Sequence, residues 1–168
     1  MEFHVMIDDS VTQKQKEQLQ KVLINSEHKI TFHLMNGNLF KHYPALGTVK
    51  SYLSKAAYYR LFVTDIIEGN IHKILYLDGD IIVTHSLLEL WKVNISDYAL
   101  GAVTDMAEGR QVFERLGYAA DEGYFNSGVL LINLDYWREH NLKDKFIDLI
   151  VKHPEKIKLH DQDVLNIV

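Results

Sequence analysis

The chain contains no cysteine, and only two of its 168 residues are proline. Without cysteine it forms no disulfide and no thiolate metal site, which suits a reducing compartment. No apolar run approaches the roughly 20 residues that a membrane-spanning helix needs. No stretch is strongly basic and the net charge is -5, so binding to the nucleic-acid phosphate backbone is disfavoured. The opening MEFHVMIDDS carries acids where a signal peptide needs bases, and it lacks a long apolar centre. These absences together predict a cytoplasmic protein, or one peripheral at the inner face of a membrane.

What is present is ordinary for a globular domain: 47% apolar and 24% charged residues. A chain of this length buries about 70% of its unfolded surface, enough for one domain, residues 1–168, with a real core. FHVMIDD (Phe3 to Asp9) predicts a strand. Ser10 and Gln13 then have capping-box spacing for a helix. KITFHLM alternates in polarity and predicts a strand with one face buried. After a looser stretch around Pro44 and Gly47, SYLSKAAYYRLFVTDIIEGN predicts a helix ending at a Gly69 C-cap. KILYL is a continuous apolar strand, the kind buried on both faces of an α/β sheet. Ser86 and Glu89 suggest another capping box. YALGAVTD is a strand ending in Asp105, RQVFERLG a helix stopped by Gly117, and GVLLINL a further buried strand. WREHN is read as the end of a strand and the start of a helix, and Tyr136 and Trp137 as packing residues. Asn141 is placed to cap LKDKFIDLIVKH, and Asp161 to cap a final helix whose stripe is Val164, Leu165 and Val168. Strands alternating with helices predict an α/β fold with a mostly parallel sheet.

The chemistry concentrates in ILYLDGDIIV, where an apolar strand runs into Asp78 and Asp80. In open α/β sheets, ligands bind beyond the carboxyl ends of strands. Residues i and i+2 of an extended chain point to one side, so the two carboxylates can converge. Gly79 between them lets a ligand approach closely. Paired carboxylates repel unless a cation lies between them, and hard oxygen ligands suit Mn²⁺ or Mg²⁺. Thirteen aspartates in 168 residues produce about one D-x-D by chance, so the information lies in the strand-end position. A solvated turn and an aspartyl phosphatase with Asp78 as nucleophile are the competing explanations of this motif. The nine histidines form no metal pattern.

YYRLFVTDII, ILYLDGDIIV, LGAVTD, FNSGVLLINLDYWREHN and HDQDVLN occur in that order. Together they resemble glycosyltransferase family eight, the glycogenin and bacterial galactosyl- and glucosyltransferase group. The resemblance implies a GT-A fold, a Rossmann-like nucleotide-sugar-binding domain. It implies retaining transfer of a hexose from UDP-glucose or UDP-galactose to a glycan, lipopolysaccharide or protein-linked acceptor, with Mn²⁺ as cofactor and Mg²⁺ as the alternative ion. It assigns Asp78 and Asp80 to the metal. Arg60, Gly79, Asn126, Ser127, Gly128 and Asp161 are assigned to the donor sugar and its phosphates, with the Asn126 segment as a loop. Gln162 and Asp105 are assigned to the reaction centre and acceptor side. Family members also have an ADDNY-like uridine-binding segment before the first strand. After the DQD segment they have an HxxGxxKPW-like one whose histidine is a metal ligand. Neither motif occurs here. The resemblance therefore predicts a GT-A domain incomplete at both ends, with self-association through uncovered surfaces and with a non-catalytic remnant as the alternative to an enzyme.

Overall fold

A computed structural model describes residues 1–24, 26–35, 55–106, 110–116 and 123–168. The stretch around Pro44 and Gly47, the predicted helix start at 51–54 and the Gly117 stop lie outside the described residues. The chain divides into two compact units, Met1–Tyr59 and Arg60–Val168.

In the first unit, β1 (Glu2–Ile7) and β2 (Lys29–Leu34) pair in parallel, joined through α1 (Gln13–Val22). The helix starts two residues later than its Ser10 signal. Ser10 is taken up by Asp8, to which its N–H and hydroxyl donate at 2.9 and 2.5 Å. Such a local turn competes with helix initiation. The cap passes to Thr12, which forms a complete capping box with Gln15.

The second unit contains, in chain order, α2 (Val63–Ile66), β3 (Lys73–Leu77), α3 (Leu88–Lys92), β4 (Leu100–Thr104) and α4 (Arg110–Leu116). β5 (Phe125–Asn133), α5 (Leu134–Glu139), α6 (Leu142–Lys152) and α7 (His160–Ile167) follow. The sheet order is β3-β5-β4, and both pairings are antiparallel. This corrects the mostly parallel sheet predicted from sequence: among the described residues only β1 and β2 pair in parallel. The apolar runs signal burial on both faces, and they do so in either strand direction. Leu130, Leu131 and Ile132 of β5 are successive residues, and none is more than 2% exposed.

Several predicted boundaries shift for physical reasons. Asn133 caps α5 by accepting from Tyr136 N at 3.1 Å, so Trp137, Arg138 and Glu139 lie inside a helix and not at a strand end. Trp137 does pack as expected: its indole N–H donates to Ala99 O at 3.0 Å and its ring meets Phe146 edge-on. Gly69 is not a C-cap; α2 ends at Ile66. Arg138 instead reaches the carbonyls of Ile67, Glu68 and Ile71. At α3 the N-cap position is Leu87 and Glu89 pairs with Lys92, so the Ser86 box does not form. Asn141 sits at the N-cap of α6 in a left-handed conformation without a side-chain cap bond. Asp161 lies within the first turn of α7, two positions past the N-cap, Leu159, and Leu165 is buried.

Candidate functional site

β5 runs opposite to both neighbours, so its start lies beside the ends of β3 and β4. Asp78 N donates to Gly128 O at 2.9 Å, and Asp105 N donates to Tyr124 O at 2.8 Å. The pairing with β4 shifts between Ala102, opposite Leu130, and Val103, opposite Asn126. Ser127, Gly128 and Val129 are thus extra residues relative to β4. The segment expected as a sugar-binding loop is an irregularity inside a strand, a device that re-aims side chains next to sites.

Arg60 joins the site together. It is 5% exposed. Its Nη2 donates to Asp78 Oδ1 at 2.7 Å, its Nη1 donates to Ser127 O, and its Nε lies 3.0 Å from Asp161 Oδ2. Its guanidinium also lies over the Tyr76 ring, 4.4 Å from the centroid. A planar fork with several fixed donors suits this multiple role. The Asp161 contact is ionic but outside hydrogen-bond geometry, and Asp161 Oδ2 has no hydrogen-bond partner among the described residues. Burial pushes the Asp161 carboxyl up, against the opposing influence of Arg60 and Ser127. One guanidinium thus faces two carboxylates.

Tyr76 donates to Asp78 Oδ1 at 2.9 Å, and burial raises its phenol far above the ordinary range, so it remains a neutral donor. Arg60 and Tyr76 therefore both hold Oδ1. The other oxygen, Oδ2, faces Gly128, where an added Cβ would lie 3.0 Å from it and 3.0 Å from Asn126 Oδ1. Asn126 Oδ1 also accepts from Gly128 N at 2.8 Å.

A second set of contacts crosses the site through Gln162. Its Oε1 accepts from Ser127 N at 3.1 Å, and its Nε2 donates to Asp105 Oδ2 at 3.0 Å. The structure thus gathers Arg60, Asp78, Asp105, Asn126, Ser127, Gly128, Asp161 and Gln162. Gly79 and Asp80 lie on the exposed turn after β3, closed by Ile81 N donating to Asp78 O at 3.2 Å. The chain turns at this point, so the extended-chain argument for convergence of the two acids does not hold. An added Cβ at Gly79 would meet nothing within 4 Å.

Carboxylate oxygens of the Asp78 and Asp80 kind are the donor type that a hard divalent cation takes. Asp78 keeps one oxygen outside the Arg60 and Tyr76 contacts, and Asp80 is an exposed carboxylate two residues on. No group of three or more candidate ligand side chains gathers among the described residues, so phosphate or water oxygens would complete such a shell.

The sequence reasoning missed Tyr76, Asp163, Arg115, Tyr124 and Asn166. Asn166 extends the backbone pairing of β5: Phe125 N donates to its Oδ1 at 2.9 Å, and its Nδ2 donates to Phe125 O at 3.0 Å. Asp163 carried a visible signal as the second acid of the other D-x-D. The others carried none.

The family model for glycosyl transferase family 8 matches residues 1–168. The chain belongs to glycosyl transferase family 8. Its similarity to General stress protein A of Bacillus subtilis is 32% identity over 167 residues, 97% of this chain and 56% of that protein. It is 33% identical over 172 residues to the lipopolysaccharide 1,2-glucosyltransferase of Escherichia coli, covering 86% of this chain and 51% of that one. The chain thus spans about half the length of these curated relatives. Its fold matches the crystal structure of the galactosyltransferase LgtC in complex with donor and acceptor sugar analogues. The TM-score is 0.84 at 25% identity, over 99% of this chain and 69% of that one. Membership of family 8, with its GT-A fold, removes the phosphatase alternative. No helix among the described residues is long and apolar enough to cross a membrane.

Proposed function

We propose that this family 8 chain carries the core of a retaining hexosyltransferase that uses a UDP-hexose donor, UDP-glucose or UDP-galactose, and a glycan, lipopolysaccharide or protein-linked acceptor. The observation that carries the proposal is the Arg60 network. It ties Asp78 of the D-x-D to Ser127 of the β5 irregularity and to Asp161 of the DQD segment. Three segments distant in sequence thereby address one small region.

Asp78 and Asp80 would hold Mn²⁺, or Mg²⁺, which when bound neutralises the donor diphosphate and stabilises charge on departing UDP. Arg60 orients Asp78 by holding Oδ1, and its positive charge lies where the donor is expected. Asp161, paired with Arg60, is the carboxylate assigned to the sugar, although its Oδ2 is buried against the guanidinium. Asn126 and Ser127 present neutral groups suited to hydroxyls, and Gly128 leaves room beside Asp78. Gln162 orients Asp105 toward the acceptor side. Its amide is no strong nucleophile, which argues against a glycosyl-enzyme on Gln162 and favours a transfer in which the departing UDP oxygen takes the acceptor proton.

Calorimetry of UDP with Mn²⁺, followed by assay of UDP release from UDP-glucose and UDP-galactose, tests the proposal. Asp80→Ala should reduce Mn²⁺-dependent UDP affinity by about 10-fold or more, roughly 1.4 kcal/mol. Unchanged affinity in that variant rejects the metal site. Full UDP affinity without any turnover in the native chain supports the non-catalytic remnant instead.

A further inference from the structure

We propose that Asp163 is a positioning residue, the buried anchor that presents Asp161 and Gln162 to the sugar and to Asp105; this rests on the donor-site assignment above. Asp163 is 0% exposed. Its two oxygens accept five hydrogen bonds. Oδ2 takes Arg115 Nη1 at 2.6 Å, Lys158 N at 2.7 Å and Leu159 N at 2.8 Å. Oδ1 takes Arg115 Nη2 at 2.9 Å and the Tyr124 hydroxyl at 2.8 Å.

Each of these partners leads to a different part of the site. Lys158 and Leu159 precede α7, whose N-cap position, Leu159, has no side-chain cap. Asp163 accepts instead from Lys158 N and Leu159 N, the two N–H groups just before the first turn, and so ties the entry of the helix to its own fourth residue. The residue after Leu159, His160, has φ +51, a left-handed conformation that a non-glycine residue holds only when its surroundings over-determine it. The contacts to Lys158 N, Leu159 N and Tyr124 brace that turn from both sides, and Asp161 and Gln162 follow it directly. Tyr124 immediately precedes the strand that carries Asn126 and Ser127. Arg115 projects from α4, which packs through Val112 and Leu116 on Tyr124, with Leu159 and Ile167 alongside.

The same geometry argues against Asp163 as a covalent nucleophile. Attack on an anomeric carbon requires a lone pair directed at the sugar. Both oxygens here are turned to five protein donors in a fully buried position. The pairing with Arg115 and the backbone N–H groups outweighs burial and holds the carboxyl below its ordinary range. It is an anion whose capacity is spent on the fold.

Two variants of the full chain test the assignment. Tyr124→Phe removes one of the five bonds and keeps the ring packed. Asp163→Asn replaces the anion and sets an amide N–H against the donors. Three measurements are made on each: UDP affinity with Mn²⁺, kcat and KM for UDP release from UDP-hexose, and amide hydrogen exchange. UDP affinity should fall much less than kcat, because the contacts of Asp163 reach the proposed metal site only through Asp161 and Arg60. The kcat should fall about 10-fold in Tyr124→Phe and about 100-fold in Asp163→Asn, the cost of a misplaced reacting group. Exchange should quicken at 158–162 and 125–128. Unchanged kcat, parallel loss of UDP affinity and kcat, or a hexosyl adduct found on Asp163 by peptide mass spectrometry each overturn the assignment. Should Asp163→Asn fail to fold, Tyr124→Phe decides by the same criteria. Should the native chain neither bind UDP nor release it, the donor-site assignment fails; unchanged exchange in the variants then separately overturns the anchor.

Discussion

At the scale of single residues, two glycines of the candidate site differ in kind. A Cβ at Gly128 meets Asp78 Oδ2 and Asn126 Oδ1 at 3.0 Å, whereas one at Gly79 meets nothing within 4 Å. Both carbonyl and carboxylate neighbours at Gly128 are held by other bonds, so neither yields freely. Gly128→Ala should shift the Asp78 carboxylate and weaken Mn²⁺-dependent UDP binding by about 10-fold, about 1.4 kcal/mol. Gly79→Ala should leave the melting temperature unchanged, since nothing in the fold requires glycine there. Titration of both variants with UDP and Mn²⁺, beside their thermal melts, checks the pair; equal UDP affinity in Gly128→Ala and the native chain would contradict the crowding argument. Tyr76 belongs to the same scale. Its ring and hydroxyl support Arg60 and Asp78 together, and no sequence pattern distinguishes it from the other apolar positions of KILYL.

At the scale of elements, the sequence exposed the strands and most helices because their apolar patterns reflect burial. LKDKFIDLIVKH became α6, and Leu142, Phe146, Leu149 and Ile150, at helical spacing along it, are buried. Strand direction was not legible, because the run GVLLINL reads the same in either orientation. Helix ends were misplaced for local and distant reasons alike. Asp8 takes up Ser10 two residues away, while Arg138 binds the carbonyls of Ile67, Glu68 and Ile71, just beyond α2, across about seventy residues of chain. The eight gathered site residues were legible as motifs, while the contacts that hold them, from Tyr76, Arg115 and Tyr124, were not. Arg138→Met should therefore destabilise the fold by about 1–3 kcal/mol through the loss of charged hydrogen bonds. UDP affinity should remain, since the Arg138 contacts involve none of the gathered site residues. A urea titration with an unchanged midpoint would show that the 67–71 segment needs no such clamp.

At the scale of the whole molecule, the buried charges set a pH dependence. Burial raises the Asp161 carboxyl above its ordinary 3.8. The native state then holds that proton more tightly than the unfolded chain does. Its contribution to stability falls as pH rises from about 3.8 through the raised native value. Asp163 behaves oppositely: its contribution is present above the ordinary value and is lost as pH falls through its depressed one. Asp161→Asn removes the first effect and leaves the second. The melting temperature of this variant, measured relative to the native chain, should rise between pH 4 and pH 7 while UDP-hexose turnover falls. A variant-minus-native difference that falls as pH rises would contradict the sign of the shift.

The reversal of β5 between its neighbours also bears on time. The residues at its start meet Asp78, Asp105 and α7 only after chain from Arg60 through Asp161 has come together. Contacts of such long separation form late, because loop closure precedes their reward. Until then Arg60 has neither of its carboxylates in place, and the proposed donor site is not assembled. Donor binding would therefore report that folding of the second unit has finished, and would draw the last step of that folding forward by mass action.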